Sequence, residues 1–430
     1  MSLTQTSTPI AFSNGPSKEA LVKEFVGKPL DDLRTPAFIV DRSVFAQNCA
    51  KMHEKSKSWG TNFRAHLKTH KTAEGAKLQL ISSADKTDRV VVSTLMEAWS
   101  VVNAGLVQDG TVKDILYGLP VGLNKVQDLS DIWDAISADG ATIRLLVDHP
   151  DQVKFLDGFE AKRTNPRKWS VFVKIDGGQK RAGVSVEGES FKELLKVIFE
   201  STNVSVYGFY AHAGNSYAST SLDEASSFLS SEVQAVNGAA KAALDLLKSL
   251  GKDTSAFRFT LSVGSTPTAH AAGAEARAKL KEVLVGDLEL HAGNYPMNDL
   301  QQHHTSLVDF VDISQKVRAT VVSYYPGRGE NGTDEAMIDA GGIAFSKDTG
   351  PSGDFGAVLG TSWRVGRMSQ EHGLLTRSDK KETLQLGQKV EVVGQHACMI
   401  AAAYPWYYVV DPEVDGGKTV VDVWVPWKGW

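Results

Sequence analysis

From residue 35 onward the chain alternates short apolar runs with longer stretches in which apolar residues recur every three or four positions. The runs are "AFIVD" (37–41), "NFRAHL" (62–67), "DRVVVST" (88–94), "DILYGL" (114–119), "TIRLLVD" (142–148), "WSVFVKID" (169–176), "VYGFYAH" (206–212), "FRFTLSVG" (257–264) and "LELHAGNY" (288–295). Helical spacing fills many of the gaps, as in "SVFAQNCAKMHEKSKSW", "LMEAWSVVNAG" and "SFKELLKVIFE". This βα alternation predicts a parallel sheet. Its length, roughly 270 residues, and its eight or so units predict a (β/α)8, TIM-like barrel with the helices outside.

After about residue 305 the pattern changes. "ISQKVRATVVSYYP", "AMIDAGGIAF", "QKVEVVGQHACMIAAAYP", "WYYVVD" and "TVVDVWVPW" read as strands with few helices between them. They predict a second, mainly antiparallel β domain. The expected division is an N-terminal arm (1–30) with one short helix near "KEALVKEFV", a barrel (31–305) and a β domain (306–430).

Composition narrows the function classes. A net charge of -5 over 430 residues argues against a dedicated nucleic-acid binder. No apolar run approaches the ~20 residues of a membrane span. The first residues lack the basic and apolar regions of a secretory signal. Two cysteines, Cys49 and Cys398, exclude a disulfide framework and make a reducing cytoplasm the expected compartment.

Active sites of such barrels form at the C-terminal ends of the strands. There the sequence places "RAHLKTHKT" (64–72), "KIDGGQKRAGV" (174–184), "YAHAGNSY" (210–217), "GSTPT" (264–268) and "HAGNYPMND" (291–299). If residues 64–70 are extended, Arg64, His66, Lys68 and His70 share one face. Lys68 reads either as a solvated lysine or as an amine made reactive by cationic neighbours. "GSTPT" reads either as an ordinary Ser/Thr/Pro turn or, with Gly293 and Tyr295, as a phosphate cup. On a strand, His396 and Cys398 of "GQHAC" would point to one side. They are then either an inert buried pair or two zinc-type ligands, too few for a structural site but suited to an open catalytic one.

Taken together and in this order, the motifs resemble those of the alanine-racemase-like, fold-type III class of pyridoxal 5'-phosphate (PLP) enzymes. Within that class they are similar to the D-threonine aldolase and D-serine dehydratase group, and to its fungal dehydratase branch, over about residues 33–430. The resemblance implies that Lys68 holds PLP as a Schiff base. Arg181 would lie near the phenolic side of the ring, and Tyr210 and Tyr217 would be the tyrosines of "YxHxGxxY". Ser265 and Thr266 would bind the phosphate, with Gly293, Asn294 and Tyr295 as a second phosphate loop. His396 and Cys398 match the Zn2+ ligands of the dehydratases, where aldolases commonly carry an acidic residue in place of the cysteine; no third ligand can be matched. The implied activity is conversion of the D-amino acid D-serine to pyruvate and ammonia, with D-threonine as a further substrate. Lys68 would be the base at Cα, and zinc the Lewis acid at the leaving hydroxyl. Family members are homodimers, which leaves open whether Lys68 and the zinc ligands of one site come from different subunits. The competing readings are a D-threonine aldolase, a non-catalytic PLP carrier, and a barrel protein with structural zinc and no PLP.

Overall fold

The computed structural model describes residues 10, 15–255, 257–272, 284–377 and 382–430. The first apolar run, β1 (Ala37–Asp41), separates from the other eight. Those eight form a closed barrel: β2 (Asn62–His66), β3 (Arg89–Val92), β4 (Asp114–Pro120), β5 (Thr142–Val147), β6 (Trp169–Lys174), β7 (Val204–Tyr210), β8 (Phe259–Val263) and β9 (Gly286–Ala292). Neighbours pair in parallel, and β9 closes on β2. Helices that follow the strands start where cap chemistry allows. Asp41 accepts the Val44 N–H at 3.0 Å to open helix Arg42–Trp59, and Thr94 accepts the Glu97 N–H at 3.1 Å to open Leu95–Asn103.

The expected second, mainly antiparallel β unit is present, as a sheet that also takes in β1. Its strands are β10 (Gln315–Tyr325), β11 (Glu335–Ile338), β12 (Gly356–Val358), β13 (Trp363–Met368), β14 (Gly373–Arg377), β15 (Lys389–Gly394), β16 (Tyr407–Val410) and β17 (Asp422–Trp424). The order is β11-β14-β13-β12-β15-β10-β1-β16-β17. β1 runs antiparallel to β10 and parallel to β16. "AFIVD" is therefore not a barrel strand. Phe38 packs on Tyr404 and Tyr407, Phe45 on Trp424, and one hydrophobic cluster continues from barrel to sheet. The arm carries the expected short helix, Lys18–Phe25.

"GQHAC" also differs from expectation. β15 stops at Gly394, and Ala397–Ala403 is a helix with His396 as its N-cap. Alanine-rich "ACMIAAA" favours a helix. Ile400 on the first turns of this helix packs back over Gly394, where a side chain would have to push the end of Ile400 aside. His396 and Cys398 are therefore related by a helix start and not by strand alternation. Among the described residues no helix is long and apolar enough to cross a membrane.

The barrel floor is a layer of buried charge. Arg64, fully buried, donates to Glu289 at 2.8 Å and to Asp114 at 2.8 Å, and Arg89 and Arg144 pair with the same two carboxylates. Arg64 thus does not supply cationic character to Lys68; its charge is neutralised within its own layer. Burial pushes the Asp114 carboxyl up, but Arg64 and Arg144 outweigh it and bring it down to about 2, below the ordinary 3.8. A depressed carboxyl stabilises the fold above its unfolded value and loses that contribution as pH falls through the folded one. Asp114→Asn should therefore cost about 3 kcal/mol at pH 7, because it leaves a buried guanidinium half-paired. In urea unfolding, the gap between variant and wild type should shrink between about pH 4 and pH 2. A gap independent of pH would contradict this role for Asp114.

Candidate active site

The mouth of the barrel lies above the charged floor. β2 ends at His66, so the extended reading of 64–70 fails beyond that point; Leu67–His70 is a turn. Lys68 sits in this turn, half-buried, and its backbone N–H meets His66 Nδ1 at 3.4 Å. His70 faces away into the core. It bonds Gln79 Oε1 at 2.7 Å through Nε2 and accepts the Thr72 N–H at 3.0 Å, and burial pushes it down to about 4. Lys71 pairs with the buried Glu97 at 3.0 Å. Of the bases clustered in the sequence, His66 lies beside Lys68, and Lys71 stays near it but is paired with Glu97.

Two further histidines join it from other strands. His212, just past β7, bonds the Gly264 carbonyl at 2.7 Å through Nδ1, so Nδ1 carries the proton and Nε2 keeps a lone pair. Burial, then the charge of Lys68, hold both His212 and His66 well below the usual range. His291 at the end of β9 meets Ser262 Oγ at 3.0 Å, and its Nε2 is buried. Tyr210 stacks on the His291 ring at 4.1 Å and 10°, and the buried Lys174 ammonium lies 5.1 Å from the Tyr210 ring centre. Burial and then Arg181 bring Lys174 down to about 8. Arg181 itself is exposed on the loop after β6. Tyr217 falls on the 3-10 turn Gly214–Ala218, with its side chain outside the described residues.

The two loops read as phosphate-binding touch each other. Thr266 Oγ1 accepts the Asn294 N–H at 3.1 Å, and Ser265 Oγ lies 2.7 Å from Ser216 Oγ. Gly264 has φ +139°, and a Cβ there would sit 2.1 Å from the His291 carbonyl oxygen, so only glycine fits. Gly293 is packed against His66, 3.0 Å from its Cβ to the Cβ a larger residue would carry. Tyr295 differs from the other loop residues: its ring packs on Phe63 and its buried hydroxyl faces Gln79, so the side chain braces the loop from behind. Small residues and the buried hydroxyls of Ser265 and Thr266 make a polar cradle at the barrel mouth that suits a phosphate. The donor set fits PLP.

The helix that begins at Ala397 brings the second group of residues over the same mouth. Thr69 Oγ1, one residue past Lys68, lies 3.1 Å from Cys398 Sγ within the same chain. Burial opposes the thiolate, but a hydrogen bond and charge from His396, and the charge of Lys68, hold the Cys398 thiol below its usual range. Burial likewise opposes the imidazolium, yet Cys398, Asp299 and Asp348 hold His396 up to about 9. Asp348 stands 3.5 Å from His396 Nδ1. These are the donor types of a zinc centre, with a carboxylate behind the imidazole. The set is open: among the described residues no group of three or more His, Cys, Asp or Glu is placed to hold a metal.

Thr69, Lys174, Glu232, Asp299 and Asp348 do not stand out in the sequence as site residues. Glu232 was legible only as an acid on the apolar side of helix Leu222–Ser249, between Leu229, Val233 and Val236. Its buried carboxylate accepts the N–H groups of Ala213, at 2.6 Å, and Gly264, tying two mouth loops together. Asp299 carried an N-cap signal at the end of "HAGNYPMND", ahead of "LQQHH".

Comparison with known proteins agrees with this geometry. Residues 40–286 match the family model of the alanine racemase N-terminal domain, and residues 314–410 match a serine dehydratase domain. The chain is 44% identical to the D-serine dehydratase of Schizosaccharomyces pombe, covering 96% of each. It is 37% identical to the D-serine dehydratase of Saccharomyces cerevisiae, over 95% of this chain and 99% of that one. Among solved structures, D-threo-3-hydroxyaspartate dehydratase from Delftia sp. HT23 superposes with a TM-score of 0.77 at 25% identity, covering 94% of this chain and 100% of that one. Its cysteine-to-alanine mutant in the metal-free form gives the same values. With the match to both curated dehydratases nearly end to end, the chain belongs to the D-serine dehydratase family of fold-type III PLP enzymes.

Proposed function

We propose that this protein is a PLP- and zinc-dependent lyase that eliminates water from D-serine, giving pyruvate and ammonia, and that treats D-threonine likewise. The observation that carries the reading is the 3.1 Å contact between Thr69 and Cys398. It sets a basic amine and a metal-type His/Cys pair at one barrel mouth. An elimination needs those two functions side by side, a base at Cα and an acid at the β-hydroxyl.

Lys68 would hold PLP covalently, and its amine, once released, would take the α-proton. Ser265, Thr266 and the Gly293–Asn294 backbone would fix the phosphate, so that the ring is oriented before substrate arrives. Bound PLP supplies an electron sink for the charge left at Cα. The neutral His66 and His212 near Lys68 add no fixed positive charge that would compete for that electron pair. His396 and Cys398 would hold zinc, which would supply Lewis acidity. The relatives named D-serine dehydratase support the substrate, and a structure of a related dehydratase mutant described as metal-free is consistent with a metal in that enzyme. A free, low-pKa thiol at Cys398 suits a reducing cytoplasm. A homodimer follows from the family resemblance.

Lys68→Ala should abolish borohydride-stable PLP attachment and nearly all turnover, whereas Lys71→Ala should keep the attachment. Peptide mapping after reduction reads this directly, and a label on a peptide lacking Lys68 would refute the assignment. The two cysteines should also separate chemically. Iodoacetamide on metal-free native protein should modify Cys398 well before the buried Cys49, whose thiol burial pushes up. His396→Ala should slow that reaction at pH 7, and zinc should protect Cys398. Equal reactivity of the two thiols would contradict the pairing. D-threonine should yield 2-oxobutanoate and ammonia; glycine and acetaldehyde as main products would make the protein an aldolase.

A further inference from the structure

Between the phosphate cradle and the metal-type pair lies a carboxylate that neither function requires. Asp299 is fully buried. Its Oδ1 accepts the Gln302 N–H at 2.9 Å, which caps helix Leu300–His304. Its Oδ2 accepts two hydrogens from different parts of the fold. One comes from Asn294 Nδ2 at 2.6 Å, in the loop after β9. The other comes from the backbone N–H of Ala397 at 2.7 Å, the residue between His396 and Cys398. Asn294 in turn donates its own N–H to Thr266 Oγ1 at 3.1 Å. A second tie runs alongside, from the Gln301 N–H to the Gln395 carbonyl at 3.0 Å.

We infer that Asp299 is a positioning residue that couples the two cofactors: occupation of the phosphate cradle and occupation of the His396/Cys398 pair strengthen each other through its Oδ2. The inference rests on the reading of these two sites as PLP and zinc sites. The physical ground is that one oxygen holds both sides. Turning the Asn294 amide strains or breaks its 2.6 Å bond to Oδ2. Oδ2 cannot move without displacing the N–H that fixes the backbone between the two metal ligands. A buried carboxylate with three donors has no water to substitute for a lost bond, so the two sides shift together. Fixing either side pre-organises the other, and linkage makes the effect reciprocal. Sequential loading would then favour the doubly loaded protein over either singly loaded form.

The test is a zinc titration of the apoprotein against a chromophoric chelator, with and without saturating PLP, and the converse PLP titration with and without zinc. For wild type, PLP should tighten zinc binding about tenfold, and zinc should tighten PLP by the same factor, a typical coupling between linked sites. Asp299→Asn replaces an acceptor of three N–H groups by a side chain that itself donates, and should bring the factor to about one while PLP still attaches to Lys68. Asn294→Ala keeps the two backbone bonds of Asp299 and removes only the link to the loop. It should lose the coupling yet bind zinc, in the absence of PLP, as wild type does; it decides the matter if Asp299→Asn does not fold. A factor near one in wild type, or an undiminished factor in both variants, overturns the coupling alone. Failure of PLP to attach at Lys68, or of zinc to bind at all, overturns the functional reading and the coupling with it.

Discussion

The position of β1 is the constraint on which the site depends. This strand lies between β10 and β16, deep within the nine-stranded sheet, yet its last residue, Asp41, caps the helix that leads into the barrel. No linker separates the two units. The sheet is completed only when the start of the chain is built into it, and the next residues enter the barrel at once. That fixes the sheet over the barrel and leaves Ala397–Ala403 at the mouth, where Cys398 meets Thr69. Tyr407 Oη donates to the His70 and Ala401 carbonyls, at 3.2 and 3.1 Å, and the Trp427 N–H bonds the Lys71 carbonyl at 2.7 Å. The turn that carries Lys68 is thereby held from the sheet side as well as from β2.

Charge is sorted by depth in the barrel. At the floor, arginines and carboxylates cancel in pairs around Arg64. Higher up, His66, His212 and His291 are neutral by burial, with Tyr210 stacked among them. At the mouth stand Lys68 and the His396/Cys398 pair. Such sorting leaves the three histidines beneath the mouth neutral, with the buried Lys174 ammonium, 5.1 Å from the Tyr210 ring centre, as a charge among them. Buried charge is tolerated at the floor because each group has partners there.

Much of this was legible in the sequence, and the gaps have physical causes. Eight barrel strands were readable because parallel strands covered on both faces form short apolar runs, and β8 is buried throughout. The same signal could not say that "AFIVD" belongs elsewhere, since β1 is equally buried in the other sheet. The turn motifs put Lys68 and the loops at Gly264 and Gly293 at strand ends, and the structure places them at one barrel mouth; glycine and hydroxyl residues there serve ordinary turns equally well, so the pattern alone left their role open. Local spacing misplaced "QHAC": strand alternation and a helix start both bring residues i and i+2 near each other, and the strand's end at Gly394 and the alanine-rich helix after it decide between them. Thr69, Asp299 and Asp348 act through partners remote in sequence, and no local pattern marks such pairs. Arg64 and His70 had seemed part of a reactive cluster only because they neighbour Lys68 along the chain; folding sends one to the floor and the other to the core.

In this structure one chain brings both the Lys68 turn and the His396/Cys398 pair to a single barrel mouth. Mixing inactive chains tests most directly whether the two act together there. Lys68→Ala and Cys398→Ala chains, co-expressed with different tags and purified as mixed assemblies, should show no more D-serine elimination than either variant alone, because every site then carries one defect. Recovery of activity in the mixed assembly would mean that Lys68 works with the Cys398 of another chain, and would contradict the account.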